Sequence, residues 1–282
     1  MKISIASGKG GTGKTLVATN LALSIDNQPV QILDCDVEEP NAHIFLKGDL
    51  IDEQRVYTQI PKVNENQCQS CGKCADLCVF NAMALFDKTL LCFDDLCHSC
   101  GACWQLCPEQ ALEPFDKEIG TVKKTKINDL TLVTGTLKIG THISPPIIKA
   151  VKEQCITGIN IIDGPPGSSC PVMETVSDTD YCVLVTEPTP FGLNDLTLAV
   201  EMLRSLAVPC GVVINRDGAD SAMIEKFCQH NNLEILMRIP LDIKIAQSYS
   251  QGIPIVQNSG EWQRKFNQLH QRILKEVQAC KN

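Results

Sequence analysis

Between a glycine-rich loop at residues 8–15 and an acidic strand end at Asp163, the chain places eight cysteines in two copies of C-x-x-C-x-x-C-x-x-x-C. One copy is Cys68, Cys71, Cys74 and Cys78; the other is Cys97, Cys100, Cys103 and Cys107. The loop and the acidic strand end imply one nucleotide-binding α/β domain, so the cysteines interrupt a single unit. Their compact spacing holds cubane iron-sulfur clusters. We take the larger, discontinuous domain as residues 1–57 and 117–282 and the insert as residues 58–116, with Pro61 and Pro114 as boundary marks. The insert is an internal repeat with little core of its own, so cluster binding is expected to supply much of its folding energy.

Residues Gly8, Lys9, Gly10, Gly11, Thr12, Gly13, Lys14 and Thr15 fit G-x-x-x-x-G-K-[ST], directly after a strand at residues 2–6 and before a helix from Lys14 to Ser24. The glycines let backbone amides and the helix N-terminus point at phosphates; Lys14 should reach the terminal phosphates and the Thr15 hydroxyl should ligate magnesium. Further apolar runs recur at residues 30–33, 130–133, 159–162, 181–185, 211–214 and 235–239, with helical patterns at 194–206 and 221–230 between them. Strands that are apolar throughout and alternate with helices predict a mostly parallel sheet covered by helices on both faces. Ligands of such sheets bind beyond the carboxyl ends of the strands.

Sixteen cysteines in a secreted chain would imply disulfides. The chain starts directly in a strand with no basic-then-apolar leader, and the thiols have ligand spacing; both point to a reducing, cytoplasmic setting. Net charge is −8, and the insert holds most of it, with Lys62, Lys73 and Lys88 against Glu65, Asp76, Asp87, Asp94, Asp95, Glu109, Glu113 and Asp116. Such a field repels nucleic acid and suits a basic protein partner. A terminal helix carries Trp262, Phe266, Leu269, Ile273 and Val277 on one face. Docking on the sheet is favoured over membrane association for that face.

Lys9 inside the loop, in K-G-G-x-G-K-T, resembles the deviant phosphate loop of the MinD, ParA and nitrogenase iron protein group of ATPases. The resemblance implies an ATP-dependent homodimer in which Lys9 reaches the partner's nucleotide as a catalytic charge, beside Lys14. It also implies that Asp36, in Leu33-Asp34-Cys35-Asp36, orients the attacking water, that Asp34 lies near magnesium, and that Asp163 holds magnesium through water. Asn215, followed by Arg216, is similar to the strand-end residue that reads adenine, and Pro240 and Asp242 resemble the loop closing over the base.

The cysteine pattern resembles bacterial two-cluster 4Fe-4S ferredoxins, which implies a small inserted α+β domain with crossed ligation. Cys68, Cys71, Cys74 and Cys107 would hold one cluster, and Cys97, Cys100, Cys103 and Cys78 the other. Cys107 precedes the expected Pro108, whereas Cys78 precedes Val79. Zinc is the alternative for C-x-x-C pairs, and the repeated compact quartets favour cubanes. Cys170, seven residues after Asp163, is a candidate ligand for a cluster shared across the dimer; most of the other cysteines outside the quartets read as small core residues. The expected function is ATP binding and hydrolysis coupled to electron transfer toward a partner. The alternatives are a cluster carrier that uses ATP for hand-off, and a spatial switch in which clusters only sense redox state. A C-terminal C-x-x-C pair, used by cluster-carrier relatives, is absent from the sequence.

Overall fold

The computed structural model describes residues 1–281, apart from the side chains of Ala219 and Lys281. β1 (Lys2–Ser7) leads through the glycine loop into α1 (Lys14–Leu23), followed by β2 (Val30–Asp34) and the single turn α2 (Ala42–Phe45). The chain then runs outward along β3 (Asp49–Val63). It folds the cysteine segment as α3 (Lys73–Leu77), β4 (Met83–Phe86), β5 (Thr89–Cys92) and α4 (Ala102–Gln105), and returns along β6 (Leu112–Ile127). Strands and helices alternate from there: β7 (Leu130–Leu137), α5 (Pro145–Lys152), β8 (Ile159–Pro166), α6 (Cys170–Val176), β9 (Tyr181–Thr186) and α7 (Pro190–Ser205). They end with β10 (Cys210–Asp217), α8 (Ala222–His230), β11 (Ile235–Pro240), α9 (Ile243–Ser250) and α10 (Gly260–Lys281).

The large sheet has the order β11-β10-β9-β1-β8-β2-β7-β6-β3. Its strands are parallel from β11 to β7, and β6 turns antiparallel against β7. All seven apolar runs expected as strands lie in the parallel part. Successive side chains point to opposite faces, which divides the core. Ile3, Ile5, Ile32, Leu132 and Ile161 pack under α1 and α10, while Ala6, Leu184, Val212 and, farther along, Leu33, Val133 and Ile162 face α5 to α8. Phe266, Leu269, Ile273 and Val277 of α10 are buried in the first of these layers, so the terminal helix docks on the sheet as expected. Each such side chain contributes roughly 1.5–3 kcal/mol through removal from water. No helix among the described residues is long and apolar enough to cross a membrane.

β3 and β6 form one antiparallel ribbon, pairing residues 49–63 with 112–126. Neither contains a continuous apolar run, because the ribbon is largely solvent-exposed and turns inward only at a few scattered residues such as Val56, Ile60, Leu112, Ile119 and Val122. Positions 58 and 116 lie within these strands, and Pro61 stands opposite Pro114 in the ribbon. β3 is the outer edge; its charged residues and proline discourage a further strand from adding there. At the far end a small core gathers Ile60, Ala82 and Cys97 with Cys78. Two ties fasten this tip to the ribbon: Thr58 Oγ1 and Ser99 Oγ share a hydrogen bond of 2.7 Å, and Lys117 pairs with Asp95 at 3.1 Å and Asp94 at 3.5 Å.

Candidate functional site

Gly11 and Gly13 take φ of 76° and 98°, the left-handed region that costs glycine least, and so turn the loop back toward α1. A Cβ on Gly13 would come within 2.4 Å of Asn215 Nδ2. That nitrogen donates to the Thr12 carbonyl at 2.7 Å, so the end of β10 braces the loop from below. Asn215 Oδ1 also accepts from the Arg216 amide at 2.9 Å, steadying Arg216 at a φ of 54°.

A cleft of about 1170 Å³ opens beyond the carboxyl ends of the strands. Of the residues predicted from sequence, Gly10, Gly11, Gly13, Lys14, Thr15, Asp36, Asn215, Arg216, Pro240 and Asp242 line it. Gly8, Lys9 and Thr12 face a smaller neighbouring hollow with Thr186 and Asp195, and a Cβ on Gly8 would lie 2.4 Å from the Asp195 carbonyl. Asp242 caps α9, accepting from the Lys244 amide at 2.8 Å. Sequence reasoning missed Glu39, Asn41, Ile245, Ala246 and Tyr249, which also line the cleft. Ile245 and Tyr249 are four apart on α9, a helical spacing that would have marked a shared face.

Three carboxylates gather near Lys14. Burial pushes Asp34 well above the usual carboxylate range, with the Asp163 charge adding to it. Asp163 is raised to about 7 by burial, against the opposing hydrogen bond from Thr15 and the Lys14 charge. Asp36 is raised to about 6, again chiefly by burial. Lys14 is pulled down by burial and held up by these acids. Asp34 is spent on the backbone: its Oδ2 accepts from the Asn41 and Ala42 amides at 3.1 and 3.0 Å and its Oδ1 from the Asp36 amide at 3.3 Å, which fixes the turn carrying Asp36. Asp163 Oδ2 accepts from Thr15 Oγ1 at 2.6 Å, while its Oδ1 is buried with no partner. A hydroxyl, a carboxylate with an unpaired buried oxygen and an excess of acid form a hard oxygen donor set, which fits magnesium.

Two cavities lie at the ribbon tip. One of about 400 Å³ is lined by Cys68, Cys71, Cys74 and Cys107; the other, of about 760 Å³, by Cys78, Cys97, Cys100 and Cys103 and also by Cys74. Cys78 Sγ accepts from the Ala82 amide at 3.3 Å and Cys107 Sγ from the Ala111 amide at 3.4 Å, the same bond in each repeat. Burial raises the Cys74 and Cys97 thiols and pushes Cys103 up to about 11. Thiol donors around a cavity, with amides aimed at sulfur, fit a polynuclear thiolate-bound group. Among the described residues no three or more His, Cys, Asp or Glu side chains converge as for a single metal ion. Phe80 stacks on His98 at 3.9 Å between centroids over the second cavity. Cys170 is exposed at the start of α6, away from both quartets in sequence.

The CobQ/CobB/MinD/ParA nucleotide binding domain family matches residues 3–255. An uncharacterized protein of Methanocaldococcus jannaschii is 32% identical over 281 residues, covering 97% of this chain and 96% of that one. An iron-sulfur cluster carrier protein of Pyrococcus horikoshii is 25% identical over 280 residues, covering 90% of this chain and 79% of its own length. Among solved structures, the septum site-determining protein MinD with Mg-ADP from Pyrococcus horikoshii superposes with a TM-score of 0.59 at 21% identity, covering 96% of this chain and 95% of that one.

Proposed function

Because this chain belongs to the CobQ/CobB/MinD/ParA nucleotide-binding family, we propose that it is a cytoplasmic ATPase whose ATP-dependent homodimer is coupled to electron transfer, through two 4Fe-4S clusters, toward a partner protein. The observation carrying the coupling is β6: the strand that starts at the cysteine tip is also hydrogen-bonded to β7 in the nucleotide-domain sheet. The insert of residues 58–116 is read as a ferredoxin-like domain on the strength of its repeat and its two cysteine-lined cavities.

In the cleft, Lys14 and the loop amides hold the β- and γ-phosphates, and Thr15 with Asp163 positions magnesium. Asp36, at the cleft wall, accepts a hydrogen bond from the attacking water and aims it at the γ-phosphorus. Asp34 acts through the turn it fixes. Asn215, Arg216, Pro240 and Asp242 frame the adenine end, and Lys9 acts on the partner's nucleotide. At the tip, the crossed quartets hold the clusters, which supply one-electron oxidation and reduction when bound.

The test is an anaerobic redox titration followed by electron paramagnetic resonance without nucleotide, with ADP, and with a non-hydrolysable ATP analogue. A nucleotide-dependent potential supports the coupling, about 59 mV in a one-electron couple being a tenfold linked change. Identical potentials and spectra in all three states overturn it. The carrier reading is favoured by the relatives named iron-sulfur cluster carrier proteins. Transfer of iron to an apo acceptor, with loss of the donor's own absorbance, would select hand-off instead.

A further inference from the structure

Glu187, which the sequence did not single out, sits directly after β9 with its side chain 9% exposed. Its Oε2 is 3.3 Å from Lys9 Nζ, and its Oε1 accepts from Arg216 Nη1 at 2.5 Å. The backbone beneath is fixed. The Glu187 carbonyl accepts from the Thr189 amide at 2.8 Å, and a Cβ on Gly192 would approach it to 2.3 Å. The side chains of Lys9 and Arg216, 34% and 55% exposed, have room to rearrange around Glu187.

We propose that Glu187 is a positioning residue that parks Lys9 in cis, away from the phosphate cleft, and that Arg216 makes the parking reversible. Lys9 in this arrangement does not line its own cleft, whereas Arg216 does. A near-buried carboxylate with a single cationic partner would resist giving that partner up, because an unpaired buried charge is costly. With Arg216 already on the other oxygen, Glu187 remains paired when Lys9 swings out, so release is inexpensive. The latch therefore joins the phosphate loop to the adenine end of the cleft through one carboxylate. This inference rests on the proposed action of Lys9 across a homodimer.

The experiment uses the full chain purified anaerobically and measures dimer fraction against concentration of a non-hydrolysable ATP analogue by sedimentation velocity, with ADP affinity alongside. Glu187→Gln should lower the midpoint roughly two- to fivefold, the range by which an ion pair with a partly exposed lysine shifts an equilibrium. Arg216→Ala should raise it, and by more in the native background than in Glu187→Gln, because part of its effect passes through Glu187; an Arg216 effect due only to lost nucleotide contact would be equal in the two backgrounds. In a Lys9→Ala background Glu187→Gln should have no effect. Should the Gln variant fail to fold, Glu187→Asp, which keeps the charge for Arg216, should shift the midpoint in the same direction. An unchanged or raised midpoint with normal ADP binding, or a shift that survives Lys9→Ala, overturns the latch. A Lys9→Ala chain that dimerises and hydrolyses ATP normally overturns the underlying role of Lys9 instead.

Discussion

Asn215 holds the phosphate loop by one hydrogen bond to the Thr12 carbonyl, and its amide occupies the space that a side chain on Gly13 would need. Asn215→Ala leaves that buried carbonyl without its donor, a cost of about 1 kcal/mol. ADP affinity should then fall roughly fivefold, as isothermal titration calorimetry would show; unchanged affinity would mean the loop holds its shape unaided. Asp163 poses a different test. With one oxygen on Thr15 and the other unpartnered, it should make nucleotide binding depend on magnesium. In Asp163→Asn, removing magnesium with a chelator should leave ADP affinity where it was, while the native protein loses affinity under the same treatment. That Gly13, Lys14 and Thr15 line the cleft was legible because one short motif sets them in consecutive positions. Glu187, Glu39 and Tyr249 were not, because each matters only once separate strand ends converge.

At the scale of elements, α10 carries a buried histidine whose Nε2 has no hydrogen-bond partner. Burial pulls His270 below its ordinary value of 6.5. In the unfolded chain the same ring takes up a proton near 6.5, so between the two values the unfolded state binds more protons and stability falls as pH drops. Denaturant melts between pH 7 and 5 should therefore show a decline that His270→Phe flattens, by at most about 1.4 kcal/mol per pH unit for one proton. Equal slopes in the two proteins would show that other groups set the acid limb. The parallel strands were readable because burial on both faces demands unbroken apolar runs, as in Tyr181–Thr186. β3 and β6 escaped notice because an exposed ribbon needs only an occasional inward residue, and the sequence around Val56 and Ile119 is otherwise charged or polar.

For the molecule as a whole, the contrast lies between the layers around the large sheet and the few residues of the tip. The sheet is packed by three apolar groups, whereas Ile60, Ala82 and Cys97 with Cys78 are the tip's share. A unit with so little core is expected to need a bound group to fold. Iron chelation under reducing, anaerobic conditions should abolish amide-exchange protection across residues 64–111 while β1, β2 and β8 stay protected and ADP still binds. Protection retained throughout would show that the tip folds without its ligands. Val63 and Leu112 are cross-strand partners where the ribbon meets the tip, so the tip departs and returns at neighbouring points roughly 5 Å apart. In evolutionary terms the cysteine-rich tip occupies an enlarged hairpin turn. Such a cassette can be gained, exchanged or discarded in one genetic event, with no strand of the large sheet changing its neighbour.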